Sequence, residues 1–543
     1  MRGYAALMDE DRPMIARRAL LGTAATAALI RGAPAIAQGE RAHVLRFVPQ
    51  ADVTSLDPLA TTSYAVRNHA HLCWDTLYGL DDAFRPQPQL AEGHAVEDDG
   101  KRWTFTLREG PTFHDGERIR AADAVASIRR WMIRDTHGQT LAARLDAIEA
   151  LDDRRFVLRL RRPFGVMLDA LGKSSSYPCF IMPERFANLP ATAPLTEIVG
   201  SGPYRFVAEE RRAGSLAVYR RYDRYSPAPG GPVAVTSGPK LAHFERMEWQ
   251  MIGDPSTIGA ALQAGEVDWW ERMAPDLRPL ISRRRDVVVD RVETQGTVAM
   301  LRPNHLHPPF DDPAVRRALL MAISQTDVMS AIMGDDRSRF RDGMGPFPPG
   351  SALASDEGLS AVTGPRDLAA ARAALQAAGK LGAKVVVLNP GDQVNNNAGT
   401  LICADAMKRM GLDVEVATTD WGTMLARRAK KEPPAQGGWN AVYVAFGGED
   451  LTNPGGHPLL RGNGQDAWFG WPSSPGLEAL RDEWLEAPDL EAQKRVGRAI
   501  QARFFQDVPF VPLGQYFLDS AYRRGLKVER RGMTVPLNVR REG

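Results

Sequence analysis

The sequence predicts an α/β protein with more than one domain. Its 543 residues exceed what one hydrophobic core usually organises, so two or three domains are expected. In the C-terminal half, segments with helical spacing of apolar residues alternate with short β-branched runs, which is typical of an open, largely parallel sheet. Helices are predicted at 367–378, 398–410 and 490–505, and strands at 384–388, 414–417 and 439–446.

A strand, a tight turn and a helix are predicted in succession from residue 98 to residue 125 and beyond. Apolar and polar residues alternate over 103–107, which is the pattern of a half-buried strand. The pair Asp115-Gly116 then supplies the positive-φ residue that a tight turn requires. Asp123 lies in the first turn of the helix, where a carboxylate is favourable.

Composition and charge exclude some classes of partner. The chain is 44% hydrophobic and 25% charged, with a mean hydropathy of −0.30, as in soluble globular proteins. The net charge is +2, and no stripe of basic residues is present, so nucleic acid is not an expected partner.

An export signal is predicted at residues 1–37. Arg17 and Arg18 precede an apolar run over 19–30, and Ala35-Ile36-Ala37 offers a cleavage site. The paired arginines indicate the twin-arginine route. The apolar run is too short for a membrane anchor, and no cysteine near the cleavage site offers a lipid anchor. Removal of the signal takes away five arginines and three acidic residues, which brings the net charge to zero. Met14 is an alternative to Met1 as the start of the chain.

This signal can be tested directly. Replacing Arg17 and Arg18 by lysine is expected to leave uncleaved protein in the cytoplasm, because the twin-arginine pathway requires the arginine pair. Cell fractionation followed by immunoblotting measures the outcome. Normal arrival of cleaved protein in the periplasm would contradict twin-arginine targeting, although not export itself.

The cysteines and the usual catalytic motifs indicate neither a metal site nor an enzyme. Cys73, Cys179 and Cys403 have no metal-site spacing, and buried free thiols are expected, with a Cys73–Cys179 bridge as the alternative in an oxidising compartment. Gly172-Lys173-Ser174 lacks the first glycine of a phosphate loop, because residue 167 is methionine. The Gly462–Ala467 string does not open a predicted helix, and the pairs His69/His71 and His305/His307 are isolated.

A series of short motifs spans roughly residues 45–515. They are Leu56-Asp57-Pro58, Leu90-Ala91-Glu92, the block at 98–125, Val199–Tyr204, Gly265–Asp268, Asn304 with Pro309–Leu319, Ala371–Gly379 and Met407–Val416. The series resembles the family 5 extracellular solute-binding proteins, the peptide- and nickel-binding receptors of ABC importers. The motifs occur in the family's order, which makes the resemblance specific although each motif alone is weak.

The resemblance implies a two-lobed periplasmic-binding-protein fold of the large type II class, with an extra subdomain in the first lobe. The first lobe is expected to be discontinuous, over 39–82, 196–300 and 510–543. The extra subdomain is expected at 83–195 and the second lobe at 301–509. The segment 300–304 is the expected hinge crossing.

The resemblance also implies where a ligand lies, namely between the lobes, beside loops at the carboxyl ends of strands. Two adjacent tryptophans on a strand point to opposite faces, so one is expected in the core and Trp270 in the ligand cleft. In peptide-binding members an aspartate near residue 450 pairs with the ligand's α-amine; here the family's later Asp-Pro is Asn453-Pro454. The candidate ligand-binding residues are Trp270, Glu271, Trp421, Phe446, Gly447, Glu449 and Asp450, with Trp468 and Trp471 as weaker aromatic candidates; solvated loop carboxylates are the alternative for Glu449 and Asp450.

The implied function is that of a periplasmic receptor which closes on a small solute and delivers it to the permease subunits of an ABC importer. No cofactor, metal or membrane insertion of the mature chain is expected, and the protein is expected to be a monomer. The near-zero mature charge and the acidic candidates favour a peptide or another amine-bearing solute over a dianion. A peptide-binding chaperone or sensor component, and a secreted hydrolase, are the alternatives. A turnover assay distinguishes a hydrolase from a receptor, because only a hydrolase converts the bound solute. Measuring uptake after deletion of the permease distinguishes a transport receptor from a chaperone or sensor.

Overall fold

The computed structural model describes residues 43–190, 193, 195 and 197–542, and the predicted export signal lies outside them. The strands are β1 Val44–Val48, β2 Tyr78–Leu80, β3 Pro86–Pro88, β4 Ala91–Glu97, β5 Arg102–Leu107, β6 Leu145–Ala150, β7 Arg155–Leu160, β8 Tyr204–Phe206, β9 Leu216–Arg221, β10 Arg246–Gln250, β11 Trp269–Trp270, β12 Val287–Asp290, β13 Thr297–Pro303, β14 Phe340–Arg341, β15 Lys384–Pro390, β16 Asp413–Thr419, β17 Ala441–Gly447, β18 Val511–Tyr516, β19 Ser520–Arg523, β20 Leu526–Val528 and β21 Val539–Arg541. The α-helices are α1 Tyr64–Cys73, α2 Ala121–Arg134, α3 Thr136–Arg144, α4 Met167–Gly172, α5 Glu184–Ala187, α6 Pro255–Ala264, α7 Arg278–Ile281, α8 Pro313–Ala322, α9 Gln325–Met333, α10 Ser360–Thr363, α11 Leu368–Ala377, α12 Val394–Arg409, α13 Trp421–Arg428, α14 Pro475–Glu486 and α15 Leu490–Asp507.

A seven-stranded sheet forms the centre of the first lobe. Its strand order is β12-β19-β11-β1-β10-β9-β8, so it draws on three separate stretches of the chain. Successive side chains of a strand point to opposite faces, and both faces of this sheet are covered by apolar clusters. The first lobe is therefore discontinuous in sequence, with a core on each side of its sheet.

A six-stranded sheet of order β14-β18-β13-β17-β15-β16 forms the centre of the second lobe. Only the β15–β16 and β15–β17 pairs are parallel, and β13 runs antiparallel to both of its neighbours. The expectation of a largely parallel sheet is therefore wrong. The helical connections α12 and α13 make their strands parallel, as crossovers do, whereas β13 enters from the first lobe and β18 leads back to it.

The chain crosses between the two sheets at 291–296 and again at 517–519. Residues 297–303 form the central strand β13 of the second-lobe sheet, and β18 pairs with it. The crossings between the sheets therefore lie a few residues before the expected boundary at 300 and the expected hinge at 300–304, and a few residues after the expected boundary at 509. Strand pairing is the reason, because β13 and β18 hold each other in one sheet.

An antiparallel sheet of order β4-β5-β7-β6 lies within residues 83–195. The predicted strand over 103–107 is confirmed as β5, whose residues alternate between half-buried and buried. Gly116 has a φ of 96° and closes the predicted turn by donating its N–H to Phe113 O at 2.9 Å. The predicted helix is α2, and the Asp123 carboxylate accepts a hydrogen bond from Arg120 N before it.

The α/β elements predicted in the C-terminal half are confirmed. The three predicted helices correspond to α11, α12 and α15, and the three predicted strands to β15, β16 and β17. Gly379 and Gly411 follow α11 and α12 with φ values of 67° and 108°, so both helices end in the left-handed conformation that glycine favours.

Some of the sequence motifs serve to join parts of the chain. Asp57 of the Leu-Asp-Pro turn accepts two hydrogen bonds from the Arg130 guanidinium of α2, at 2.6 and 3.1 Å, and both side chains are almost fully buried. Gly200 and Gly202 lie directly against α1, where an added Cβ would meet the carbonyl oxygens of Cys73 and Leu72 at 1.7 and 2.5 Å. The Gly-Ser-Gly-Pro-Tyr segment is therefore required by a close backbone approach.

Cys73, Cys179 and Cys403 are free thiols, each with 0% exposure. Burial raises the pKa of all three thiols. The expectation of buried free thiols is confirmed, and the alternative bridge between Cys73 and Cys179 does not form. Within the described ranges, no helix is long and apolar enough to cross a bilayer.

Candidate functional site

A cavity of about 670 Å³ lies where the first lobe, the four-stranded subdomain and the second lobe meet. The first lobe contributes the turn that leads into α1, and the subdomain contributes the end of α2 and the loop after α4. The second lobe contributes α13, the end of β17 and the loops that follow it. The lining residues are 61–64 from the first lobe, 134–136, 173, 176 and 177 from the subdomain, and 396, 421, 425, 428, 444–446, 450, 456, 458, 468 and 469 from the second lobe.

Three of the predicted site residues, Trp421, Phe446 and Asp450, line this cavity. Trp421 is the first residue of α13 and is 36% exposed. Phe446 lies near the carboxyl end of β17 and packs edge-to-face on Trp468, with 5.8 Å between ring centroids. The second lobe therefore contributes aromatic side chains to the cavity, at the carboxyl ends of β16 and β17.

Asp450 joins all three parts of the chain that form the cavity. The Tyr64 hydroxyl of α1 donates a hydrogen bond to Asp450 Oδ2, and Ser176 N of the subdomain donates to Asp450 Oδ1 at 3.1 Å. Tyr64 in turn accepts a hydrogen bond from Gly447 N at 2.6 Å. A Cβ at Gly447 would lie 2.5 Å from Glu449 Oε2, so a larger residue here would have to displace the Glu449 carboxylate.

Glu449 is engaged across the same boundary by Arg67. Arg67 Nη1 lies 2.7 Å from Glu449 Oε1, and both side chains are at least nine-tenths buried. Arg67 also donates to Ser174 O at 3.1 Å, so one guanidinium links α1, the subdomain and the second lobe. Burial raises the pKa of Glu449 to about 7, while Arg67 opposes that rise. Glu449 therefore holds the lobes together.

Tyr64 is suited to remain a neutral hydrogen-bond donor in this network. Burial raises the pKa of its hydroxyl well above the usual value, and the Asp450 and Glu449 carboxylates raise it further. The hydroxyl therefore keeps its proton at any physiological pH and continues to donate to Asp450.

Trp270 and Glu271 lie away from the cavity lining. Trp269 and Trp270 point to opposite faces of β11, as predicted, but both are buried, at 0% and 4% exposure. Trp270 packs in the core with Ile258 and Leu262 of α6, so it does not form a wall of the cavity as expected. The reason is that helices cover this face of the sheet as well as the other.

Glu271 connects α1 to the segment that follows β1. Its carboxylate accepts hydrogen bonds from Gln50 N at 2.7 Å, from Gln50 Nε2 at 2.9 Å and from Asn68 Nδ2 at 3.0 Å. It is 2% exposed, and burial raises its pKa to about 7. Glu271 therefore positions the helix that carries Tyr64 and Arg67.

The profile of "Bacterial extracellular solute-binding proteins, family 5 Middle" matches residues 85–448. The chain is also 34% identical over 477 residues to "Probable peptide ABC transporter periplasmic-binding protein y4tO" of Sinorhizobium fredii, which covers 88% of this chain and 89% of that protein. The chain belongs to the family 5 extracellular solute-binding proteins.

Solved structures of low sequence identity share the two-lobed α/β fold of this solute-binding protein. The agropinic acid complex of AgaA from A. tumefacien R10 superimposes with a TM-score of 0.76 at 20% identity, over 92% of this chain and 99% of that one. Helicobacter pylori DppA in complex with the peptide STSA gives a TM-score of 0.76 at 21% identity, over 92% and 98%. The predicted fold is thereby confirmed.

The solute-binding protein has basic residues in its cavity that sequence reasoning missed. Arg134, Lys173 and Arg428 line it together with two acidic residues, Asp135 and Asp450. None of the candidate residues named from the sequence is basic, so these three were missed. Arg134 and Arg428 end the helices α2 and α13, where basic residues are common in any protein, so their sequence position carried no signal.

Proposed function

We propose that this protein captures a peptide-like solute with a free ammonium group and delivers it to the permease subunits of an ABC importer. The observation that carries the proposal is the position of Asp450, a carboxylate that lines the interlobe cavity and contacts both opposing parts of the chain. The proposal also draws on the name of the 34% identical relative, a probable peptide transporter component. An exported, periplasmic location follows from the predicted signal.

The cavity has the size and lining of a small-molecule site. Its volume of about 670 Å³ lies within the range of roughly 300–1,000 Å³ that such sites span. Trp421, Phe446 and Trp468 supply apolar surface, while Asp450 supplies a charge that fixes orientation. A short peptide offers both kinds of group, since it carries apolar side chains and a terminal ammonium.

Asp450 retains capacity for a further donor. Each carboxylate oxygen has two acceptor sites, and each oxygen of Asp450 accepts one hydrogen bond in the structure. An ammonium at the cavity surface would therefore add a charge-assisted hydrogen bond without displacing Tyr64 or Ser176. Ligand binding and lobe contact thus act on the same carboxylate.

The contacts of Asp450 and Glu449 favour the closed form. Tyr64 and Arg67 belong to the first lobe, whereas Asp450 and Glu449 belong to the second, so these bonds form only when the lobes meet. A solute that bridges the two lobes shifts the population further toward closure. The permease then recognises the closed receptor.

Replacing Asp450 by asparagine is expected to weaken the binding of amine-bearing peptides by about 10- to 100-fold, the usual effect of losing a charge-assisted hydrogen bond. Isothermal calorimetry on the mature protein measures it, with di- and tripeptides selected by thermal shift. Asparagine keeps one acceptor for Tyr64, which limits the effect on lobe contact.

N-acetylated forms of the same peptides provide the control, because they lack the ammonium and should lose little affinity in Asp450→Asn. Asp405→Asn on the exposed surface of α12 should leave both sets unchanged. Equal affinity of wild type and Asp450→Asn for free-amine peptides would overturn the role of Asp450. Loss of uptake of the bound peptide in a permease deletion tests the transport step.

A further inference from the structure

We propose that Arg428 binds a carboxylate of the solute, so that the cavity selects zwitterionic or acidic solutes over neutral and purely cationic ones. This inference rests on the proposed function, because it assigns the other end of the same solute. It extends the expectation of a peptide or another amine-bearing solute, because it adds a carboxylate to the ammonium group that the cavity recognises.

Two aromatic rings hold the Arg428 guanidinium at the cavity. Arg428 is the last residue of α13, and its Cζ lies 4.8 Å from the ring centroid of Trp468 and 4.7 Å from that of Phe469. All three residues line the cavity. Contact with the ring faces fixes the guanidinium by cation–π attraction and leaves its N–H groups to point outward from the edge.

The Arg428 guanidinium has no acceptor of its own. Within the described part of the chain, no carboxylate lies within 4.0 Å of it and no hydrogen bond from it is formed, and its Nε is buried without a partner. Burial lowers the pKa of Arg428 to about 10, so it stays charged at neutral pH. An unpaired, partly buried cation is costly, and a bound carboxylate would offset that cost.

Neighbouring arginines show that this lack of partners is specific to Arg428. Arg302 also lies over the Trp468 ring, at 5.7 Å, but donates to four backbone carbonyls, those of Leu459, Trp468, Phe469 and Pro509. Arg427, adjacent in sequence, donates to the carbonyls of Gly437 and Gly438. Both of these guanidinium groups serve the fold, whereas that of Arg428 faces the cavity.

The other cations of the cavity are less suited to a carboxylate. Lys173 Nζ donates to the Asp135 carboxylate, so the two charges cancel locally. Arg134 is solvent-exposed, and its Nε donates to Leu59 O at 3.3 Å. Together with Asp450, Arg428 thus gives the cavity one acidic and one basic group, which matches a solute with separate ammonium and carboxylate ends.

The test compares Arg428→Met with wild type by calorimetry, using di- and tripeptides and their C-terminal amides. Methionine keeps apolar contact with both rings but removes the charge. We expect Arg428→Met to weaken binding of the free acids by about 10- to 100-fold and to leave the amides nearly unchanged. Arg428→Lys should recover only part of the loss, because lysine lacks the planar pair of donors.

Arg409→Met is the matched control, since it removes an exposed arginine of α12 that does not line the cavity. An equal loss in Arg409→Met, or equal affinity of acids and amides for wild type, would overturn the inference. If wild type binds no peptide, the proposed function fails, and Arg428 is then tested with acetate and acetamide by saturation-transfer NMR. Acetate contact that disappears in Arg428→Met supports the assignment, and contact that persists overturns it.

Discussion

Replacing Asp57 by alanine is expected to lower the free energy of unfolding by about 3–5 kcal/mol, the usual cost of breaking a buried ion pair by removing one partner. Asp57 and Arg130 are 3% and 2% exposed, and both oxygens of the carboxylate accept hydrogen bonds from the guanidinium. Without Asp57 the Arg130 charge remains buried and unpaired. Denaturant unfolding followed by circular dichroism measures the loss.

Asp405→Ala is the matched control, because Asp405 pairs with Arg409 on the exposed surface of α12 and surface pairs contribute about 1 kcal/mol or less. A second variant that combines Asp57→Ala with Arg130→Met should recover part of the loss, since the uncompensated charge is gone. A loss in Asp57→Ala no larger than in Asp405→Ala would show that the buried pair contributes little.

The free energy of unfolding of wild type minus that of Glu271→Gln is expected to fall by about 3 kcal/mol as the pH is raised from 4 to 8. The pKa of Glu271 is raised by burial from 4.5 to about 7 in the folded protein. The folded chain thus retains a proton that the unfolded chain releases. The stabilisation is fully present below pH 4.5 and is lost as the pH rises through 7.

The difference between the two proteins is the quantity to measure. Burial lowers the pKa of several histidines, which makes wild type and variant alike less stable at low pH; these are His69, His71, His114, His137, His305 and His457. Denaturant unfolding at five pH values gives the difference. A difference between wild type and Glu271→Gln that stays constant over these pH values would contradict the prediction.

The sequence was sufficient wherever a structure depends on neighbouring residues. Asp367 accepts the hydrogen bond of Ala370 N that begins α11, and Gly379 ends the same helix, so the local pattern determined both boundaries. The direction of β13 and β18 was not predictable in this way. It depends on the chain crossing between the lobes before β13 and after β18, and on the pairing of these two strands, whose residues lie more than 200 positions apart.

The candidate site was predictable in part for the same reason. Phe446 and Asp450 lie at the end of a strand and just after it, where the apolar run of the strand could be located, and both line the cavity. Trp270 does not line the cavity. Alternation along β11 predicts that Trp270 faces away from Trp269, but it does not predict that α6 covers that side of the sheet. Arg428 was missed since only the fold brings Trp468 and Phe469 to its guanidinium.

The enclosed thiols of Cys73, Cys179 and Cys403 make this protein suitable for site-directed fluorophore labelling. Maleimide reacts with exposed thiolates, and these sulfurs are both inaccessible and held in the protonated state. A cysteine introduced at Val394, which is 80% exposed on the second lobe, would therefore take up dye alone. With a second exposed cysteine on the first lobe, energy transfer between two dyes would follow lobe movement in the otherwise native chain.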